Sequence, residues 1–346
     1  MSLKKNSKWI AVLVAVVLIA FFLYGVRKAD CKPHDYTDTA MATVVRFRLY
    51  GSQTESEKEC MMEKLEDMET NILSWRIENS QVAKLNAGAG SRVRVDSLLY
   101  GWLSQIREIE EGSDGALDIT IAPLARLWNI EGEEPYVPEE DEIQDALSHV
   151  NYNRVKLEEH NYVYLESGTQ MDLGAVGKGI ACDVVADMMK AENYGPGTVS
   201  IGGSIAVVGS KPEGSKWQMG IQDPEGETGE VMGVVEVASD CFLSTSGDYE
   251  KYFEQDGVRY HHILDAKTGK PAQSGLHSVT ILCDSGLVSD ALSTACFVLG
   301  LEKGMALAEK WDVEAVFVDE EHQVHITKGL RDSFTLQKDS YTLVSE

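Results

Sequence analysis

The sequence predicts an α+β fold, one large domain that follows an N-terminal apolar segment. Segments with strand-like alternation and segments with helical spacing are mixed along the chain, which disfavours a doubly wound parallel sheet. The composition, 43% hydrophobic and 8% aromatic over 346 residues, is typical of a globular protein with a full core. We expect an anchor or signal segment over residues 1–31 and a folded domain over residues 32–346.

The first element is an apolar run from Trp9 to Val26, with lysines before it and Arg27 and Lys28 after it. Its length is close to the roughly 20 residues that cross a bilayer, and the preceding lysines slightly favour a cytoplasmic N-terminus. A cleaved signal peptide is the alternative, although its apolar region is usually only about 7–15 residues long. Cys31 suggests lipidation as a second alternative. We expect a single anchor in the cell membrane and an extracytoplasmic domain.

The remaining elements follow from the spacing of apolar residues. Helices are expected over residues 56–75, 97–113, 141–150 and 175–193. Residues 115–130 predict a short strand that turns into a helix, and residues 131–141 a surface connection. Strands are expected over residues 43–51, twice within 154–174, and in a run between 198 and 239. A strand and two helices over 277–311 and a hairpin over 314–330 complete the domain.

The charge and the cysteines exclude two classes of function. The chain has 56 acidic and 31 basic residues, a formal net charge of −25. A nucleic-acid-binding groove needs a basic stripe, so no nucleic-acid partner is expected. The six cysteines are scattered without a C-x-x-C pair, which argues against a zinc site.

The first segment with chemical content is MDLGAVGKGIACD, from Met171 to Asp183. A strand is expected to end at Asp172, and a glycine-rich turn leads into a helix with Lys178 in its first turn. Helix N-terminal amides with a lysine suit a phosphate group, and glycines allow close approach of the backbone. The segment is not a Walker A loop, because Gly179 follows the lysine where Ser or Thr is required. The same pattern also fits a tight strand-to-helix turn without a ligand.

The segment SDALSTACFVLG places Asp290 and Thr294 four residues apart on a predicted helix, so their oxygens share a face. A carboxylate and a hydroxyl are hard oxygen ligands that Mg²⁺ accepts. The alternative is that Asp290 or Ser289 simply caps the helix.

Two adjacent histidines, His261 and His262, precede Asp265 by a few residues. On a strand the two rings point to opposite faces, and His262 can meet Asp265 across the following bend. A histidine beside a carboxylate can transfer protons, whereas a packed strand histidine has no such role. A hydrolase triad is disfavoured because the chain has no G-x-S-x-G elbow.

Four separated segments resemble, in the same order, motifs of the ApbE-type FAD:protein FMN transferases. They are GALDITIAPLARLW (115–128), MDLGAVGKGIACD (171–183), STSGDYEKYF with HHILDAKTGKPA (244–272) and SDALSTACFVLG (289–300). MATVVRFRLYG (41–51) and SWRIENSQVAKLN (74–86) match more weakly. The resemblance covers almost everything after the predicted anchor and implies an ApbE-like, T-fold-related core of mixed sheet and helices.

The resemblance also implies roles for individual residues. Those that would contact FAD are Met41, Trp75, Ala116, Leu117, Asp118, Asp172, Lys178 and Ile263, with Asp172 and Lys178 near the ribose and pyrophosphate. Those that would hold Mg²⁺ are the carbonyl of Ala175 and the side chains of Asp290 and Thr294, with Ser293 beside them. His262 and Asp265 would lie next to the transferred phosphate, with Asp265 orienting the ring.

The implied activity is Mg²⁺-dependent transfer of FMN from FAD to a threonine hydroxyl of an acceptor flavoprotein, with release of AMP. One alternative is an FAD pyrophosphatase, in which water replaces the threonine and FMN and AMP are the products. Others are an anchored FAD-binding surface protein without turnover and a structural protein with coincidental motifs. The metal site discriminates a pure binder from an enzyme, because a binder has no need of both Asp290 and Thr294.

Overall fold

A computed structural model describes residues 32–344 of the chain. The predicted anchor over residues 1–31 lies outside the described residues. The strands are β1 (Pro33–Ala40), β2 (Thr43–Tyr50), β3 (Arg92–Arg94), β4 (Val155–Glu158), β5 (Tyr162–Leu165), β6 (Gly197–Ile201), β7 (Ser204–Val208), β8 (Trp217–Gln222), β9 (Val231–Val237), β10 (Cys241–Gly247), β11 (Tyr252–Gln255), β12 (Val258–His261), β13 (Leu276–Cys283), β14 (Glu314–Asp319), β15 (Gln323–Ile326), β16 (Phe334–Leu336) and β17 (Thr342–Leu343).

The helices within residues 32–344 agree in place and type with those expected from apolar spacing, except for a short helix over residues 81–87 that was not expected. They are α1 (Thr54–Met68), α2 (Gln81–Ala87), α3 (Ser97–Gly112), α4 (Ala122–Trp128), α5 (Glu140–Leu147), α6 (Gly177–Ala191) and α7 (Gly286–Lys310). A single π-helical turn, Glu69–Leu73, continues α1.

The core of the fold is a nine-stranded sheet within residues 32–344, in the order β1-β2-β6-β7-β10-β13-β14-β15-β17. Its neighbours pair antiparallel except β15 and β17, which are parallel. The sheet is therefore mixed, and the prediction of an α+β fold is confirmed.

Alternating side chains bury both faces of this sheet. On β13, Ile281 faces the large core under α6 and α7, while its neighbour Leu282 faces a second core. Trp217 and Val235 of the small sheet β16-β9-β8 cover that second core. Because side chains alternate along a strand, one sequence run supplies both cores. Each fully buried large apolar side chain contributes roughly 1.5–3 kcal/mol.

A satellite cluster supports the β11–β12 hairpin. Tyr260 of β12 stacks between Trp128 and Phe253, with ring centres 5.7 and 5.1 Å away. The Trp128 indole N–H donates to the Gly269 carbonyl at 2.8 Å. These contacts fix the hairpin from which the chain continues into His262.

Two predicted strands are absent from the described part of the chain. The strand expected near residue 115 and the one expected to end at Asp172 are segments joined by a parallel bridge between Ile121 and Gln170 and by a hydrogen bond from the Asp172 N–H to the Ile119 carbonyl at 2.7 Å. Buried side chains supply further hydrogen bonds to these backbones. Asn86 pairs with both backbone groups of Met171, at 2.7 and 2.8 Å. The buried carboxyl of Glu110 accepts the Ile119 N–H at 3.0 Å.

Helix α7 consists of two helical segments joined at Gly300, whose φ of 77° breaks the helical backbone. The expectation of two helices here is confirmed. Among residues 32–344, this is the one helix with the length and apolarity of a membrane span, and 56% of its most apolar stretch is buried inside the protein.

Candidate functional site

The site lies where the N-terminal ends of α6 and α7 meet. A Cβ atom on Gly179 would overlap the Gly286 carbonyl oxygen and lie 2.6 Å from the Cβ of Asp290. Only glycine allows this backbone-to-backbone approach. The same approach brings the Gly179 N–H within 2.9 Å of Asp290 Oδ2.

We predict that Gly179→Ala lowers the free energy of unfolding by about 3 kcal/mol, because the methyl group has no space and the two helices must separate. Urea unfolding measures this loss. Gly177→Ala is the matched control, since a Cβ there meets nothing closer than Met41 Cε at 3.9 Å. Alanine at this second position should be neutral or stabilising by up to about 1 kcal/mol. Equal losses in the two variants would contradict the close helix approach.

The N-terminus of α7 is capped by residues other than those expected. Ser285 accepts the Val288 N–H, and Asp183 of α6 accepts the N–H groups of Gly286 and Leu287 at 2.6 and 2.8 Å. Asp290 lies inside the helix, so the capping interpretation of Asp290 is wrong. Asp183 has this role through a contact between distant segments, which the sequence motif did not indicate.

Asp290 is a buried carboxylate with its side chain 3% exposed. Its Oδ1 accepts a hydrogen bond from the Ser204 hydroxyl at 3.2 Å and lies 4.0 Å from Lys178 Nζ. Burial raises the pKa of Asp290, against the opposing effects of Lys178 and of hydrogen bonds from Gly179 and Ser204. The nearby carboxylate of Asp290 chiefly raises the pKa of Lys178. The two groups form one electrostatic unit.

Three hydroxyl groups cluster near Asp290: two are on α7, about one helical turn after Asp290, and the third is on β10. Ser246 Oγ on β10 is 2.8 Å from Ser293 Oγ and 3.1 Å from Thr294 Oγ1. Ser293 also donates to the Asp290 carbonyl at 2.8 Å. Asp290, Ser293 and Thr294 therefore occupy one stretch of the same helix, as expected. Ser246 joins them from the sheet.

The donor set fits a hard divalent cation. Within residues 32–344 no three His, Cys, Asp or Glu side chains converge into a metal site. The groups present are one carboxylate and several hydroxyls, and Ala175 lies in the turn that leads into α6. Such oxygen groups suit Mg²⁺, which keeps waters and takes substrate phosphate oxygens. The raised pKa of Asp290 indicates a buried acid that a second nearby positive charge would stabilise as the anion.

His262 follows β12 directly and is held by the main chain of Lys251. Its N–H donates to the Lys251 carbonyl at 3.0 Å, and its ring Nδ1 lies 3.3 Å from the same oxygen. A carbonyl only accepts, so this contact places the ring proton on Nδ1 and leaves Nε2 free as a base. Burial, with added repulsion from Lys178 and Lys251, lowers the pKa of His262 to about 4.

The sequence predicted that the Asp265 carboxylate orients the His262 ring. Within residues 32–344 the two side chains form no hydrogen bond with each other. The Asp265 carboxylate accepts the Lys267 N–H at 2.8 Å, and its main chain bonds to Lys270 and Gly269. Asp265 therefore closes its own turn, as Asp often does through a local backbone bond. The Lys251 carbonyl takes over the orienting contact to the ring.

A group of charges surrounds the histidine. Lys251 Nζ lies 2.9 Å from Glu131 Oε1. Arg76 Nη2 lies 3.9 Å from the other carboxylate oxygen, Glu131 Oε2. Burial opposes ionisation of Glu131, but Lys251 and Arg76 outweigh it and hold its pKa below the usual value. Glu131 comes from the segment expected to be a surface connection. No pattern around it in the sequence indicated a site residue.

The structure brings two of the expected FAD residues, Trp75 and Asp172, together. Guanidinium groups of Arg76 and Arg126 lie 4.2 and 4.7 Å from the Trp75 ring centre. Burial raises the pKa of Asp172, while the Gly174 N–H, which donates to Oδ1 at 2.8 Å, and also Arg76 and Trp75 oppose the shift. Trp75 and Asp172 therefore share one wall of the site.

The other expected FAD residues differ in their surroundings. Ala116, Leu117 and Ile263 are at most 5% exposed. The Asp118 carboxylate is occupied within its own loop, where it accepts hydrogen bonds from Thr120 and from the Tyr152 N–H. A role for Asp118 toward FAD remains a prediction.

A buried carboxylate, a lysine and several hydroxyls lie near the ends of two helices, with a histidine nearby, and such groups suit a phosphate-bearing ligand. The class that the fold and these groups define is an α+β protein with polar groups suited to phosphate. Comparison with known proteins identifies the family: the chain belongs to the ApbE family, whose model matches residues 41–317.

Relatives cover most of the chain. The FAD:protein FMN transferase of Treponema pallidum is 34% identical over 88% of this chain and 90% of its own length. The FAD:protein FMN transferase of Vibrio cholerae is 31% identical over 73% of this chain and 76% of its own length. The prediction that the chain is an enzyme of the transferase class is confirmed by this relationship.

Solved structures of the family share the fold. An ApbE protein of Thermotoga maritima aligns with a TM-score of 0.81 and 31% identity, covering 87% of this chain and 99% of that one. The apo form of the Pseudomonas stutzeri flavinyl transferase ApbE aligns with a TM-score of 0.76 and 30% identity, covering 89% and 98%.

Proposed function

We propose that the chain is a Mg²⁺-dependent FAD:protein FMN transferase, which attaches FMN from FAD to a threonine hydroxyl of an acceptor flavoprotein and releases AMP. The observation that carries the proposal is the buried Asp290 carboxylate, held by the Gly179 N–H at 2.9 Å and 4.0 Å from Lys178 Nζ. The names of the relatives, FAD:protein FMN transferases, support it.

The FAD pyrophosphate would bind at the N-terminus of α6. The first N–H groups of a helix and its dipole favour an anion, and Lys178 adds a full positive charge in the first turn. The Lys178 side chain is 27% exposed, so it can reach a ligand and still interact with Asp290. Trp75 and Asp172 would flank the remainder of the cofactor.

Mg²⁺ would be held by the Asp290 carboxylate, the Thr294 hydroxyl and the Ala175 carbonyl, with Ser293 beside them. When bound, the ion supplies positive charge to the pyrophosphate oxygens. The chain's own part is to keep Asp290 ionised and aligned through Gly179, Ser204 and Lys178.

His262 would accept the proton of the attacking threonine. The threonine oxygen forms a bond to the FMN phosphorus, the bond from that phosphorus to the AMP oxygen breaks, and AMP leaves. The threonine proton goes to Nε2, which is free because Nδ1 faces the Lys251 carbonyl. With its pKa lowered to about 4, the ring is neutral at physiological pH and ready to act as a base.

Incubation with FAD, Mg²⁺ and a threonine-bearing acceptor, followed by intact mass of the acceptor, tests the proposal. The expected result is a gain of one FMN moiety and an equal amount of AMP. FMN and AMP without a change in acceptor mass would identify an FAD pyrophosphatase. Bound FAD without turnover would identify a binding protein, and either outcome would reject the proposal.

We also propose that the domain is extracytoplasmic and anchored by the apolar run Trp9–Val26. The argument is the length of the run and the lysines before it. Protease added to intact cells should then digest the domain. Digestion only after lysis would contradict this orientation.

A further inference from the structure

The hairpin between β1 and β2 has a strained turn. Ala40 pairs with Thr43, so the turn consists of Met41 and Ala42 alone. Both residues have left-handed backbones, with φ of 52° and 55°. Two-residue turns with both φ values positive normally contain Asn and Gly, because a Cβ atom disfavours this conformation. Something outside the turn must therefore stabilise it.

The stabilising group is Glu69. Its Oε2 accepts the Met41 N–H at 2.8 Å, a contact between segments 28 residues apart. Glu69 is the first residue of the π-helical turn that follows α1. Such turns are rare and occur frequently at functional sites. A hydrogen bond from a backbone N–H to a carboxylate is stronger than one between neutral groups.

The turn lies against the phosphate end of the site. Met41 Cε is 3.9 Å from the position of a Cβ on Gly177, the first residue of α6. A Cβ on Gly202 would meet Thr43 Oγ1 at 2.9 Å and Lys178 Cδ at 3.3 Å. The start of β2 and the stem of Lys178 therefore flank the same glycine.

We propose that Glu69 is a positioning residue for FAD binding: it holds the strained turn so that Met41 lies over the first turn of α6, beside Lys178. This inference rests on the proposed function, in which Met41 contacts FAD. Glu69 itself acts through the main chain of Met41.

Glu69→Ala should raise the Kd for FAD about tenfold, the usual scale for loss of a charge-assisted hydrogen bond, and leave kcat at saturating FAD within about twofold. FAD fluorescence measures the Kd. Glu69→Gln keeps an acceptor oxygen and should stay within about threefold of wild type. Glu66→Ala is the matched control. Glu66 is an exposed residue of α1, three positions before Glu69, and its substitution removes the same negative charge.

Two further variants separate positioning from general stability. In a Met41→Ala background, Glu69→Ala should change the Kd no further, since its effect passes through Met41. Ala42→Gly relieves the strain and should restore part of the affinity lost in Glu69→Ala. An unchanged Kd in Glu69→Ala would overturn the inference. So would a double variant whose Kd rises by the product of the two single-variant increases.

The behaviour of the wild-type protein shows whether the positioning inference fails alone or the proposed function fails as well. If wild type binds FAD and flavinylates the acceptor while the Glu69 variants match it, only the positioning inference fails. If wild type binds no FAD, the proposed function fails first.

Discussion

Asp290→Ala is expected to reduce FMN transfer by at least about a thousandfold, the scale of losing a central electrostatic group in phosphoryl transfer. Asp290 is the one carboxylate among the proposed side-chain ligands. Thr294→Ala, which removes a neutral ligand, should reduce transfer less. The steady-state rate of acceptor flavinylation measures both.

Asp290→Asn separates loss of the metal from loss of the fold. It retains an oxygen that can accept the Gly179 N–H and lacks the charge. Because burial raises the pKa of Asp290, ionising this carboxyl costs more in the folded protein than in the unfolded chain, and stability is lost as pH rises through the folded pKa. The neutral variant should therefore unfold no earlier than metal-free wild type.

Added Mg²⁺ should raise the thermal midpoint of wild type and leave that of Asp290→Asn unchanged, because a ligand stabilises only a protein that binds it. Normal Mg²⁺-dependent turnover in any Asp290 variant would refute the metal assignment.

His262→Ala is expected to reduce transfer by roughly 10²–10⁴-fold, the usual contribution of a general base, with the Kd for FAD within a few-fold. The reason is that His262 Nδ1 donates to the Lys251 carbonyl, which leaves Nε2 unprotonated and able to accept the threonine proton. Asp265→Ala should have a smaller effect, because its carboxylate bonds to the Lys267 N–H within its own turn.

The neighbouring histidine is a poor control for this experiment. His261 is only 7% exposed, its Nε2 lies 2.9 Å from the Ala272 carbonyl oxygen, and it contacts Phe297 edge to face. Alanine there would destabilise the protein. His34, exposed on the edge strand β1, is the better control. Equal losses in the His262 and His34 variants would refute the base assignment.

The pH dependence is set by burial of His262. Its pKa is lowered to about 4, so kcat/KM, which reports the free enzyme, should stay level down to about pH 5 and fall below it. The stability contributed by this neutral ring is present above its unfolded pKa, about 6.5, and is lost as pH falls toward 4. An NMR titration of the imidazole measures this pKa directly. A value near 6.5 would contradict the lowered pKa and the partial burial that causes it.

Local pattern was sufficient for most elements. The helix over residues 97–113 ends at Gly112, and the strand at 43–51 becomes β2, because apolar periodicity reflects which face is buried. The placement of Lys178 in a first helical turn also depends only on nearby residues. The spacing of Asp290 and Thr294 on one helix is local for the same reason.

Tertiary structure decided what depends on contacts between distant segments. The extended segment that ends at Asp172 has alternation but lacks a full strand partner, so buried Asn86 bonds its backbone instead. Glu131 becomes a site residue because Lys251, 120 positions away, meets it at 2.9 Å. The partner of the His262 ring is a main-chain carbonyl, which no side-chain motif can reveal. Sequence patterns record which side chains prefer burial, whereas a site is assembled by the packing that brings remote backbones together.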